Sequence, residues 1–197
     1  MPPVESTMLP LGSTAPDFTL PDYSGTRSVG TEVSLDDLRG AKVLVIAFIC
    51  NHCPFVKHIM NEIARLGHDC NTKGLAFVAI NPNDVETHPE DAPDKMTGVA
   101  KAHGFKFPYL FDEDQSVAKA YQAACTPDFF VFDANFNLAY RGQLDDSRPG
   151  QDDPVTGRDL RLAIEAVMTG QEIEWPQKPS IGCSIKWKAG NAPEYAS

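Results

Sequence analysis

Residues 43–54 read Val43-Leu44-Val45-Ile46-Ala47-Phe48-Ile49-Cys50-Asn51-His52-Cys53-Pro54: eight apolar residues, the last a cysteine, then a second cysteine and a proline. A run of that length, rich in β-branched side chains, reads as a strand buried on both faces. It is less than half of the roughly 20 residues that a membrane-crossing helix needs. From Pro54 to Cys70 the apolar residues Phe55, Ile59, Ile63 and Leu66 recur at helical spacing, so an amphipathic helix follows with proline in its first turn. Cys50 and Cys53 therefore stand where a buried strand meets a helix N-terminus.

Working outward, Leu75–Ile80 reads as a second buried strand, closed by the turn cluster Asn81-Pro82-Asn83-Asp84, and Ala92–His103 as a helix. Gln115–Ala123 reads as another helix, after which Thr126-Pro127 interrupts the chain. Phe129–Phe132 and Leu138–Gly142 form a hairpin through Asp133-Ala134-Asn135, and Gly157–Met168 is a last helix stopped at Gly170. Before the buried strand, residues 1–35 are rich in Pro, Gly, Ser and Thr and read as an N-terminal β extension laid on the core. Ser34–Gly40 offers a serine cap, two acids and a glycine stop for one short helix. From Gln171 onward the chain reads as an irregular tail, 171–197, in which Pro176 and Pro179 exclude a long helix. The order predicts an α/β fold: one domain over residues 1–197, a central mixed sheet flanked by helices.

Composition narrows the function. With 17 Lys+Arg against 27 Asp+Glu, the net charge of −10 offers no footprint for a phosphate backbone or an anionic membrane, so neither nucleic acid nor a membrane is expected as a partner. The N-terminus lacks a cationic segment followed by an apolar one, and no Asn-x-Ser/Thr sequon occurs, so a cytoplasmic location is expected. Five cysteines in such a chain are too few and too oddly numbered for a disulfide scaffold, which directs attention to redox chemistry or metal binding.

Cys50-Asn51-His52-Cys53 is a C-x-x-C, a spacing that lets one turn bring two sulfurs within bonding reach. Helix-terminal N–H groups and the helix dipole are expected to stabilise a thiolate on the first sulfur, Cys50, with protonated His52 lowering its pKa further. Zinc would need two more ligands at comparable spacing, and Cys70, Cys125 and Cys183 stand alone, as do His58, His68, His88 and His103; no metal site is expected. Cys125, directly before Thr126-Pro127, reads as a small buried residue, with a third redox thiol as the alternative. Cys70 and Cys183 read as packing residues, Cys183 with a resolving role as its alternative. No flavin or nicotinamide motif is present, so no cofactor is expected and reducing equivalents come from a protein or small thiol.

These residues resemble the thioredoxin-fold proteins, and more closely the peroxiredoxin-like branch of the alkyl hydroperoxide reductase/thiol-specific antioxidant (AhpC/TSA) family. The resemblance rests on Ala15-Pro16-Asp17-Phe18-Thr19-Leu20 with Gly25, Phe48-Ile49-Cys50-Asn51-His52-Cys53-Pro54, Thr126-Pro127 and Ile181-Gly182-Cys183-Ser184-Ile185-Lys186-Trp187. It implies a thiol–disulfide oxidoreductase of antioxidant type, with Cys50 attacking a protein or small-thiol disulfide, Cys53 resolving, and His52 assisting. Thr126-Pro127 resembles the Thr-cisPro pair whose backbone binds an extended substrate segment. Aligned on Cys53, the positions that hold proline and threonine in peroxiredoxins hold Ile46 and Cys50, and Leu44 stands where thioredoxins keep a buried acid; any base must be His52, another side chain or water. The alternatives are a thiol-dependent peroxidase, and a copper- or metal-binding chaperone using Cys50, Cys53 and His52 as soft ligands.

Overall fold

A computed structural model describes residues 3–196. Its strands are β1 (Val4–Glu5), β2 (Thr19–Asp22), β3 (Thr31–Ser34), β4 (Val43–Phe48), β5 (Ala76–Asn81), β6 (Tyr109–Phe111), β7 (Cys125–Thr126), β8 (Asp128–Asp133), β9 (Leu138–Gly142) and β10 (Ile181–Ser184). The α-helices are α1 (Pro54–Thr72), α2 (Pro93–His103), α3 (Ser116–Ala120) and α4 (Arg158–Thr169).

All six residues of β4 are buried, and their alternation divides the core in two. Val43, Val45 and Ala47 join the cluster formed with α1, α2 and α4, whereas Leu44, Ile46 and Phe48 join the one closed by the N-terminal segment and α3. A strand covered on both sides belongs in the middle of a sheet. Accordingly β4 pairs in parallel with β5 and antiparallel with β8, within a seven-stranded mixed sheet of order β3-β2-β6-β5-β4-β8-β9. The continuous apolar run thus fixes the sheet's centre, and its C-terminal end delivers Cys50 and Cys53 to the edge of the core.

The expected helices at Pro54, Ala92 and Gly157 form with boundaries close to the sequence reading, and α4 lies between left-handed Gly157 and Gly170, with φ of +66° and +71°. Four regions differ. The Ser34–Gly40 helix is only a 3-10 turn, Asp36–Leu38, where the Asp37 amide donates to Ser34 Oγ while Ser34 N and Oγ donate to the Asp37 carboxylate. That local exchange satisfies the cap without needing a longer helix. Helix α3 stops at Ala120 because Gln122 turns left-handed, at φ +52°. The N-terminal extension joins the sheet, since β2 pairs with both β3 and β6. The tail after Gln171 is irregular as far as Ser180, but β10 then pairs with β1 and β7 in a second, three-stranded sheet. Four residues with a central glycine carry no periodicity; only their partners make them a strand.

Helix α1 presses on the loop before β6 at Gly67, where an added Cβ would lie 2.1 Å from the Phe107 ring. Gly67→Ala gains about 1 kcal/mol of helix propensity but incurs an overpacking cost of about 1–3 kcal/mol. Thermal unfolding should show a lower melting temperature for Gly67→Ala; an equal or higher one would mean that α1 does not pack this closely.

Candidate functional site: a cluster of three thiols

Four segments meet beyond the end of β4: the Cys50–Cys53 turn, the 3-10 turn Pro89–Asp91, the cis Thr126-Pro127 bond and β10. The residues that close around the sulfurs come from each of them. Thr126 faces both cysteines of the motif, with Oγ1 3.3 Å from Cys50 Sγ and its carbonyl oxygen 3.2 Å from Cys53 Sγ. From the other side Cys183 of β10 places its Sγ 2.7 Å from Cys53 Sγ. Gly182 makes this approach feasible, since a Cβ there would lie 2.1 Å from the Thr126 carbonyl oxygen. Cys50 and Cys53 are wholly buried, while Cys183 is partly exposed.

Cys53 is the N-cap residue of α1, so the positive end of the helix dipole lies at it and not at Cys50, three residues earlier. The contacts of the Cys183 and Cys50 thiols, with the backbone N–H groups of Val56 and Cys183, hold the Cys53 thiol well below the ordinary thiol range. Cys50 moves the other way: burial, the contact with Cys53 and the Asp91 carboxylate all push it up, against a hydrogen bond with Thr126. The lower pKa thus falls on Cys53, where the sequence reading expected it on Cys50: Cys53 meets the Cys183 thiol and the Val56 and Cys183 amides, while Cys50 is buried beside the Asp91 carboxylate. Cys183 is raised as well, chiefly by its contact with Cys53 and then by burial.

His52 is also redirected. Its Nδ1 lies 4.0 Å from Cys50 Sγ but 2.6 Å from Asp91 Oδ2, so its proton serves the carboxylate first. The hydrogen bond that His52 donates to Asp91 raises the His52 pKa despite partial burial. Asp91 Oδ1 accepts from the backbone N–H groups of Asn51 and His52, and Oδ2 from Asn83 Nδ2. Against burial, these bonds, led by that from His52, hold Asp91 below the usual carboxylate range. Sequence reasoning missed Asp91, which lies 38 residues from Cys53 in an unremarkable Pro-Glu-Asp loop.

The sulfur, nitrogen and oxygen of Cys50, His52 and Asp91 lie within 4.8 Å of one another and form the group best placed to hold a metal ion among the described residues. Cys53, one of the soft ligands expected from sequence, is not part of it. Cys125 is buried, its Sγ directed at the Pro127 carbonyl at 3.6 Å, and burial pushes its thiol up. Cys70 is buried in α1, its thiol pushed up to about 11. The backbone edge of Thr126, expected to receive an extended substrate, is paired with β10 in the register Cys183↔Thr126.

A mixed sheet with helices on both faces, a dithiol at a strand-to-helix junction and a cis Thr-Pro bond beside it define a thioredoxin-fold dithiol protein. The sequence profile of the AhpC/TSA family matches residues 11–141, and the chain belongs to that family. It is 30% identical to thiol-disulfide oxidoreductase ResA of Geobacillus kaustophilus over 133 residues, 66% of this chain and 68% of that protein. It is 36% identical to "Putative peroxiredoxin Rv2521" of Mycobacterium tuberculosis over 120 residues, 60% of this chain and 68% of that one. Among solved structures, a conserved protein of Geobacillus kaustophilus superposes with a TM-score of 0.91 at 55% identity, covering 95% of this chain and 97% of its own. A protein of Sinorhizobium meliloti superposes at 0.90 with 47% identity, over 94% and 99% of the two chains. The expected thioredoxin-like fold and family are thus shown, and the chain is an oxidoreductase of the thiol-disulfide or peroxiredoxin-like kind.

Asp128, directly after the cis bond, is buried, and burial lifts its carboxyl well above the usual range. In the unfolded chain the same carboxyl ionises above about pH 4, so folding becomes less favourable as pH rises beyond that point, by up to about 1.4 kcal/mol per pH unit. Urea unfolding of the reduced protein from about pH 5 to about pH 8 should show stability falling in the wild type and flatter in Asp128→Asn. Parallel profiles would show that Asp128 ionises at little cost where it sits.

Proposed function

We propose that the protein is a thiol–disulfide oxidoreductase whose working couple is Cys50 and Cys53, supplied with electrons by an external protein or small thiol. The observation that carries this reading is the environment of Cys53: a sulfur at the N-cap of α1, held below the ordinary thiol range by the Cys183 and Cys50 thiols, with Cys50 beside it to close a disulfide. The thiolate is the form that attacks. The charge distribution favours Cys53 for the first attack, the reverse of the order implied by the family resemblance.

In this order the Cys53 thiolate attacks one sulfur of a substrate disulfide, forming a mixed disulfide as the other substrate sulfur leaves as thiolate. Cys50 passes its proton to that departing thiolate and attacks the Cys53 sulfur. The Cys50–Cys53 disulfide forms, the bond between Cys53 and substrate breaks, and the second substrate sulfur leaves as thiolate. The couple is oxidised by two electrons and the substrate reduced by two. Asp91 positions the turn through the amides of Asn51 and His52.

The same sulfur favours a second reading, peroxide reduction. A Cys53 thiolate attacking a hydroperoxide becomes a sulfenic acid with release of an alcohol, and Cys50 then displaces water to give the same disulfide. Peroxide consumption coupled to a thiol reductant distinguishes this activity from disulfide exchange alone.

The attacking sulfur can be trapped. A Cys50→Ser, Cys183→Ser double variant, left with Cys53 alone in the cluster, should accumulate a stable mixed disulfide at Cys53 when given a disulfide substrate. Cys53→Ser should lose turnover by on the order of 100-fold or more. A trap at Cys50 in Cys53→Ser would return the attack to Cys50, and no trap in either would end the oxidoreductase reading.

A further inference from the structure

The disulfide reading leaves Cys183 without a role, although its sulfur lies against that of Cys53. Strand β10 runs antiparallel to Cys125–Thr126 with Cys183 opposite Thr126, and its Sγ lies 2.7 Å from Cys53 Sγ. A disulfide bond measures about 2.05 Å, so a shift of about 0.7 Å closes one. The approach is specific to the local backbone. Gly182 lies against Thr126 without a positive φ, so what it supplies there is the absence of a side chain, and any Cβ would collide with the Thr126 carbonyl. The neighbouring Ser180 fixes the start of the strand, its N donating to Ser6 Oγ and its Oγ to the Gly142 carbonyl. Exposure adds a direction. Cys50 and Cys53 are fully buried and Cys183 is partly exposed, so of the three cysteines it is the residue with access to solvent.

We propose that Cys183 is a third redox thiol, which takes the disulfide from Cys50–Cys53 as Cys53–Cys183 and so presents it to an external thiol reductant. The inference rests on the dithiol reading above. In the transfer, Cys183 loses its proton and its thiolate attacks the Cys53 sulfur. The Cys53–Cys183 bond forms, the Cys50–Cys53 bond breaks, and Cys50 leaves as a thiolate that takes up the proton Cys183 released. Cys183 is oxidised, Cys50 is reduced and the number of disulfides is unchanged. An external thiol then attacks the Cys183 sulfur, Cys53 leaves as thiolate, and a second external thiol frees Cys183. Cys53 belongs to both disulfides, and its stability as a thiolate makes it the better leaving group in the last exchange.

Peptide mapping of alkylated, non-reduced protein tests this. In Cys50→Ser treated with oxidised glutathione, Cys53 and Cys183 should be recovered joined, with no glutathione retained. Glutathione left on Cys53 with Cys183 freely alkylated would overturn the relay. Gly182→Ala changes no thiol but pushes β10 away, so in the Cys50→Ser background it should slow formation of that disulfide at least ~10-fold; an unchanged rate would also count against it. In Cys183→Ser the Cys50–Cys53 disulfide should still form, while its reduction by a protein dithiol slows by a similar factor. A wild-type protein that never forms the Cys50–Cys53 disulfide would remove the dithiol reading itself and the relay with it. Loss of the Cys53–Cys183 disulfide alone, with Cys50–Cys53 intact, would remove only the relay.

Discussion

Strand β10 comes to lie against the Thr126 carbonyl because Gly182 has no side chain, and the electrostatics of the site depend on that contact. It brings the N–H and thiol of Cys183 to Cys53 from one side while the first turn of α1 supplies the Val56 N–H from the other. A lone buried thiol behaves as Cys125 does, pushed up by desolvation. Cys53 is buried too, yet moves down, because donors outweigh desolvation there. Cys50, desolvated by burial, in contact with Cys53 and facing the Asp91 carboxylate, moves up with the majority.

The scaffold behind this contact is rigid for a simple reason. β4 is packed on both faces, so the turn that follows it has little freedom, and Asp91 removes most of the remainder by accepting from the amides of Asn51 and His52. A carboxylate in that position costs desolvation, repaid by the His52 ring at 2.6 Å and by Asn83. The same carboxylate raises Cys50, so the group that orders the turn also drives the charge of the couple toward Cys53.

What the sequence disclosed is what local pattern controls. The apolar run 43–50 announced the central strand, the apolar spacing from Phe55 to Leu66 announced α1, and C-x-x-C at their junction announced a dithiol. Thr126-Pro127 was legible as a pair, and its cis bond beside the cysteines agrees with the resemblance. The remainder depends on contacts across long stretches of chain. Asp91 sits in a loop without a motif, and β10 is a strand only because β1 and β7 flank it. The proximity of Cys183 to Cys53, 130 residues apart, leaves no trace in composition or period. The distribution of charge within C-x-x-C is illegible in the sequence because Cys183 and Asp91, which act on Cys53 and Cys50, come from distant parts of the chain.

The central claim is that Cys53, not Cys50, carries the negative charge of the reduced couple at neutral pH. A pH titration of ultraviolet thiolate absorbance in reduced wild type, Cys50→Ser and Cys53→Ser measures this directly. The structure predicts one thiolate in the wild type that persists far below the ordinary cysteine pKa of about 8.5, is kept in Cys50→Ser and is absent in Cys53→Ser. A low-pH thiolate that survives in Cys53→Ser and disappears in Cys50→Ser would contradict the account.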